Sequence, residues 1–208
     1  AAIGARPGSD VVPLKFRRVD HEYVERVFKE AGVDTGVRPI LVNPAAAKLP
    51  RAWSSTRFEQ LADLLAERHV GLPILVHDHP PFRPTPGWPT HPAISLVKGA
   101  SLVQLGAVVE RCGLYVGNDS GPMHLAAALG IPTVGIYGPS SPDRTSPRGT
   151  LEAPHLAVSA FFECSPCREK FFDECPSPPT SDRKPPCLAQ VSVETVVAEV
   201  DRMLAALE

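Results

Sequence analysis

Short apolar runs alternate with amphipathic segments along most of the chain. Ile40-Leu41-Val42, Pro73 to Val76, Leu114 to Val116, Thr133 to Tyr137 and His155 to Ser159 read as strands. Leu114 to Val116 is apolar throughout, as in a parallel strand covered on both faces. Between the strands the apolar positions recur with helical spacing. Asp20 is placed to cap a helix to Ala31, with Tyr23, Val24, Val27 and Phe28 on one face and Gly32 as its stop. Thr56 opens a second helix, with Glu59 three residues on as a capping box and Phe58, Leu61, Ala62 and Leu65 as its inner face. Ser101 caps a third, with Leu102, Leu105, Val108 and Val109 apolar. The last helix follows Ser192 and turns Val193, Val196, Val197, Val200, Leu204 and Leu207 inward.

The stretch from Leu114 to Pro139 carries the candidate chemistry. It reads as strand, tight loop, helix, strand and loop. Gly117 to Gly121 is turn chemistry, and Pro122 suits a first helical position because its missing N–H would have no partner there. Residues 125–129 are Ala-rich, and Gly130 is placed to end the helix. Asp119, Ser120 and Gly121 therefore precede a helix N-terminus, whose free backbone N–H groups favour an anion such as a diphosphate. Ser120 adds a hydroxyl donor, Gly121 permits close approach, and His124 lies in the first turn. The same residues also suit an ordinary capped helix start with His124 on the surface. The element order implies an α/β fold, a Rossmann-like parallel sheet with helices on both faces.

Composition narrows the function classes. The chain has 208 residues, is 43% hydrophobic and carries 21 basic against 23 acidic residues, for a net charge of −2. It lacks the basic surplus of a nucleic-acid binder. No 18-residue apolar run marks a membrane span, and residues 1–15 lack the apolar core of a signal peptide, so a cytoplasmic protein is expected. The 24 prolines concentrate at 80–92 and 176–186, which read as irregular loops. His77 and His79 flank Asp78 at the first of these. Two histidines at that spacing read as loop residues rather than as a metal site.

Asn118-Asp119-Ser120-Gly121-Pro122-Met123-His124-Leu125-Ala126-Ala127-Ala128, with Gly138-Pro139 beyond it, closely resembles the donor-binding signature of the heptosyltransferases, the ADP-heptose:lipopolysaccharide transferases of glycosyltransferase family 9. The resemblance runs from about Asp20 to the end. It implies the C-terminal half of a GT-B fold, with 1–38 as linker and hinge helix and 39–208 as the nucleotide-sugar domain. The resemblance further implies donor contacts at Asn43, Asp119, Ser120, Gly121, Pro122, Met123 and His124. Arg51 falls where the family has a lysine two residues before Trp53, facing the donor diphosphate; Lys48 is the nearby substitute. Ala45 replaces a family glycine. The chain departs again at 77–80, where family members have a Gly-Gly-Pro-type turn followed by an acidic nucleotide contact.

Four of the five cysteines, Cys164, Cys167, Cys175 and Cys187, fall in one Pro-rich segment. In a cytosolic protein this favours thiolate ligation of structural zinc or iron over disulfides, though four reduced thiols satisfy the same spacing. The family resemblance supports a cysteine finger at 164–187, since related autotransporter heptosyltransferases carry one with bound iron. Cys112 reads as a buried small hydrophobe.

The expected function is therefore a glycosyltransferase donor domain. It binds an ADP-sugar, ADP-heptose by resemblance, for inverting transfer to a lipopolysaccharide-core or other acceptor. It needs no organic cofactor, and the acceptor-binding N-terminal domain is a partner on this or another chain. Its place is cytoplasmic or peripheral at the inner face of the inner membrane. The alternative is a non-catalytic nucleotide-sugar or protein-binding module with a structural metal finger.

Overall fold

The computed structural model describes residues 14–47, 51–148, 153–160, 164, 167 and 185–207. Among them one parallel sheet contains β1 (Ile40–Asn43), β2 (Ile74–Asp78), β3 (Ile94–Lys98), β4 (Leu114–Asn118), β5 (Thr133–Tyr137) and β6 (His155–Ser159). The strand order is β3-β2-β1-β4-β5-β6. The helices are α1 (Arg18–Glu30), α2 (Ser55–Arg68), α3 (Leu102–Glu110), α4 (Gly121–Ala128), α5 (Pro142–Thr145), α6 (Pro186–Ala189) and α7 (Val193–Ala205).

Successive side chains of a strand point to opposite faces, and two apolar layers result. Ile40, Val42, Ile74, Val76, Leu114 and Val116 pack with Phe58, Leu61 and Leu65 of α2 and Val196, Val197 and Val200 of α7. Leu41, Leu75, Val97 and Tyr115 pack on the other face with Tyr23, Val24 and Phe28 of α1 and Val108 and Val109 of α3. Phe58, Leu61 and Leu65 are fully buried; burial of such a side chain is worth about 1.5–3 kcal/mol. The expected inner faces of α1 and α2 are thus correct. Cys112 is buried, its thiol donating to Val108 O, and burial pushes its pKa up to about 12.

The structure corrects several local expectations. Asp20 is not the cap of α1. It lies at the third helical position, where its carboxylate accepts from the backbone N of the cap residue Arg17 at 2.9 Å. Glu59 makes no capping box. The cap of α2 is Ser54, and Glu59 accepts from Thr85 N at 2.5 Å and from Thr85 Oγ1 at 2.7 Å. Glu59 thereby pins the Pro-rich segment to α2, helped by Trp88 Nε1, which donates to Asp63 Oδ1 at 3.1 Å. This segment supplies the covered crossover that parallel β2 and β3 require, in place of a helix. β3 itself is absent from the expected strands. Leu207, expected to face the core, is 41% exposed because it lies past the end of α7, and Leu102, the first residue of α3, is 62% exposed.

One close approach matters for the site. β1 and β4 pair with Asn43 opposite Gly117. A Cβ on Gly117 would lie 2.6 Å from Asn43 O and 3.0 Å from the Tyr115 hydroxyl. Gly117→Ala is expected to lower unfolding free energy by about 1–3 kcal/mol, the usual cost of overpacking. Urea denaturation checks this, and an unchanged midpoint would show that β1 and β4 are not so tightly apposed.

Candidate functional site

The strand order reverses between β1 and β4, so the loops leaving their carboxyl ends diverge and open a crevice. In doubly wound sheets this is where ligands bind. Two buried asparagines end the two strands. Asn118 Nδ2 donates to Pro44 O at 2.8 Å and its Oδ1 accepts from Trp53 N at 2.9 Å, so β4 holds both ends of the loop after β1. Trp53 in turn donates through Nε1 to Val191 O at 3.0 Å, anchoring the loop to the chain entering α7. Asn43 Nδ2 donates to the Tyr115 hydroxyl at 2.7 Å, while its Oδ1 accepts from Ala45 N at 3.2 Å and lies 2.9 Å from His77 Nδ1.

Beyond β4 the chain turns into α4. Ser120 is the cap residue, with extended backbone, and Pro122 sits in the first turn as expected. The Ser120 hydroxyl does not cap the helix. Its Oγ is buried beside the Tyr115 hydroxyl and has no partner in good hydrogen-bond geometry. Asp119 is held through its backbone N, which donates to Ile136 O at 3.1 Å. Its buried carboxylate faces Arg51 Nη2 at 3.6 Å and His124 Nε2 at 4.0 Å. The structure therefore gathers Arg51, Asp119, Ser120 and His124 at one helix N-terminus, where the positive end of the helix favours negative charge.

The remaining expected residues divide. Gly121 and Pro122 line a cavity of about 320 Å³ together with Ala45, Ala46, His77 and Ser120. Met123 is fully buried and receives the Tyr137 hydroxyl at 3.6 Å, so its side chain fixes α4 from below. Asn43 is fully buried, its side chain engaged with Tyr115, Ala45 and His77. Lys48 and Cys175 lie outside the described residues. Cys164 and Cys167 are half-buried and Cys187 is buried. Among the described residues no three His, Cys, Asp or Glu side chains gather as a metal-ligand group.

Sequence reasoning missed Asn118, Tyr115 and His77 as members of the site. His77 is 3% exposed and stacks on His79 with ring centroids 5.2 Å apart. Burial, with His79 beside it, lowers its pKa to about 4. His155 was also unforeseen; it lies 2.6 Å from Thr133 Oγ1 and 3.1 Å from the Tyr137 hydroxyl. A larger groove of about 720 Å³ opens at the opposite ends of the strands, lined by Arg38, His69 and Asp201 among others. Its polar groups are already satisfied: His69 pairs with Asp201 at 2.9 Å and Arg38 donates to Cys112 O at 2.7 Å. The smaller crevice, with its orphaned polar atoms, is the better candidate.

The family model described as glycosyltransferase family 9 (heptosyltransferase) matches residues 16–175. The chain belongs to this family. Lipopolysaccharide heptosyltransferase 1 of Pseudomonas aeruginosa is 33% identical over 117 residues, covering 52% of this chain and 31% of that protein. Among solved structures, Escherichia coli ADP-heptose lipopolysaccharide heptosyltransferase II aligns over 92% of this chain and 53% of its own, with a TM-score of 0.65 at 21% identity. The dodecameric iron-containing heptosyltransferase TibC, solved with ADP-D-β-D-heptose, covers 82% of this chain and 46% of its own at a TM-score of 0.62 and 18% identity. At those identities the structures show the shared fold. The chain spans about a third of the length of the curated relatives it matches and about half of the solved chains. No helix among the described residues of this family 9 chain is long and apolar enough to cross a membrane.

The buried histidine gives a pH dependence. His77 takes a proton near 6.5 when unfolded and near 4 when folded. Between those values the unfolded state binds more protons, so stability is present above pH 6.5 and is lost as pH falls towards 4. The stability lost over that interval is on the order of 3 kcal/mol. Urea midpoints measured from pH 7 to pH 4 are expected to fall less steeply for His77→Gln than for the parent chain. Parallel curves would mean that His77 is not held neutral by burial.

Proposed function

We propose that this chain is the donor-binding half of a two-domain glycosyltransferase, and that it takes an ADP-linked sugar, ADP-heptose, for inverting transfer to a lipopolysaccharide-core acceptor. The observation that carries the reading is Ser120: its hydroxyl is buried, does not cap α4 and has no partner in good hydrogen-bond geometry, and the residue lines a crevice at the start of the helix. A cap serine that does not cap leaves a donor for something else, and the backbone N–H groups beside it suit a diphosphate. The donor's identity is supported by family membership and by TibC, whose complex contains ADP-D-β-D-heptose.

In this reading each residue has a distinct part. Ser120 and the first N–H groups of α4 hold the diphosphate. Arg51, 25% exposed at its side chain and paired with Asp119, offsets charge that builds on the departing ADP. Asp119 positions Arg51 and His124 beside the start of α4. The acceptor and the base that deprotonates it belong to the N-terminal domain. Cys167 N donates to Pro139 O at 2.8 Å, which ties Cys167 to the loop after β5. A non-catalytic binding module would share the binding step. The open crevice and the intact Arg51–Asp119 pair favour the enzyme half, although Ala45 stands where the family has glycine.

Calorimetric titration with ADP, UDP and GDP tests the proposal. ADP is expected to bind with preference over the other two. Ser120→Ala and Arg51→Ala are each expected to weaken ADP binding by about 10-fold or more, as for hydrogen bonds to a charged group. Folded variants with unchanged ADP affinity would contradict the assignment.

A further inference from the structure

His77 stands where the chain departs from its family, and its surroundings fix the state of its ring. A backbone N–H can only donate, so the atom of Asn43 that receives Ala45 N must be the amide oxygen. That oxygen has lone pairs alone. His77 Nδ1, 2.9 Å away, must therefore carry the hydrogen between them. The orientation is checked from the other side, where Asn43 Nδ2 donates to the Tyr115 hydroxyl at 2.7 Å. Burial keeps the ring neutral at physiological pH, so the one ring proton is on Nδ1. Nε2 is then a lone-pair acceptor, and it is buried with no hydrogen-bond partner.

A buried acceptor without a donor costs stability, and its presence in a native site calls for a ligand group that completes it. The ring lines the same crevice as Ser120 and Gly121. In doubly wound dinucleotide-binding sheets a carboxylate accepts a hydrogen bond from the ribose. Here the neighbouring carboxylate, Asp78, is not on the cavity wall, since successive strand residues face opposite ways. His77 is on the wall. We propose that His77 Nε2 accepts a hydrogen bond from a ribose hydroxyl of the bound nucleotide, so that a neutral imidazole, oriented by Asn43, takes the part that a carboxylate takes in those sheets. This rests on the nucleotide-binding reading above. The exposed His79 ring stacks on the face of His77, with ring centroids 5.2 Å apart.

The test compares ADP with 2′-deoxy-ADP and 3′-deoxy-ADP on the unaltered chain, and then repeats all three on His77→Phe. One of the deoxy nucleotides is expected to bind about 3- to 10-fold more weakly than ADP, the range of a single neutral hydrogen bond. The same penalty is expected to vanish in His77→Phe, which closes a double-mutant cycle between side chain and hydroxyl. Imidazole ¹⁵N spectra of the unaltered chain give a second readout that needs no variant: free Nε2 has an unprotonated shift, which moves on adding ADP and moves less with the weaker deoxy nucleotide. Equal binding of ADP and both deoxy nucleotides would overturn the role of His77 while leaving nucleotide binding intact. An Nε2 that already carries the proton would overturn it as well. A folded chain that binds no ADP at all would instead remove the nucleotide-binding reading, and this inference with it.

Discussion

Two buried asparagine side chains hold the site together. A sheet's carboxyl edge ends in backbone groups that no further strand satisfies, and the loops leaving it are free to wander unless something ties them. Asn118 ties the loop after β1 at both ends, to Pro44 and to Trp53. Asn43 ties β1 to the interior of β4 through Tyr115 and to the end of β2 through His77. Three strand ends are thus coupled by side-chain amides in a dry environment, where each satisfied bond stiffens the rest and each broken one leaves a costly orphan. The absence of a Cβ at Gly117 lets the two strands approach closely enough for this to happen.

The site's chemistry follows from that stiffness. Arg51 is near Asp119 because Trp53, two residues on, is clamped by Asn118 at its backbone and by Val191 at its indole. Asp119 is fixed by its own N–H to Ile136 O, and Ser120 then precedes α4 in an extended conformation, its hydroxyl not spent on capping the helix. A positive helix end, a guanidinium and a hydroxyl are consequently held in place before any ligand arrives. In the proposed transfer, little reorganisation is needed when charge develops on a leaving diphosphate, which is the condition for electrostatic stabilisation to be effective.

Much of this was legible in the residues themselves. β1, β4 and β5 were visible because strands buried on both faces read as unbroken apolar runs. The start and stop of α4 were visible in Pro122 and Gly130, the latter with φ +76°. The motif around Asp119 located the crevice. β3 was not visible, since Ile94 to Lys98 mixes Ser95 and Lys98 into its run at the sheet edge. Glu59 misled because a capping box and a tertiary contact to Thr85 share one local pattern, and the loop won. The parts of His77, Tyr115 and Asn118 depend on contacts across 34 to 74 residues of chain, and no spacing rule reaches that far.

A structure of the chain with ADP tests the central claim most directly. The diphosphate is expected against Ser120 and the start of α4, within reach of Arg51, with the nucleoside running past the ends of β1 and β2. Nucleotide found instead in the groove beside Arg38 and Asp201, at the opposite ends of the strands, would contradict the assignment of the crevice and the reading built on it.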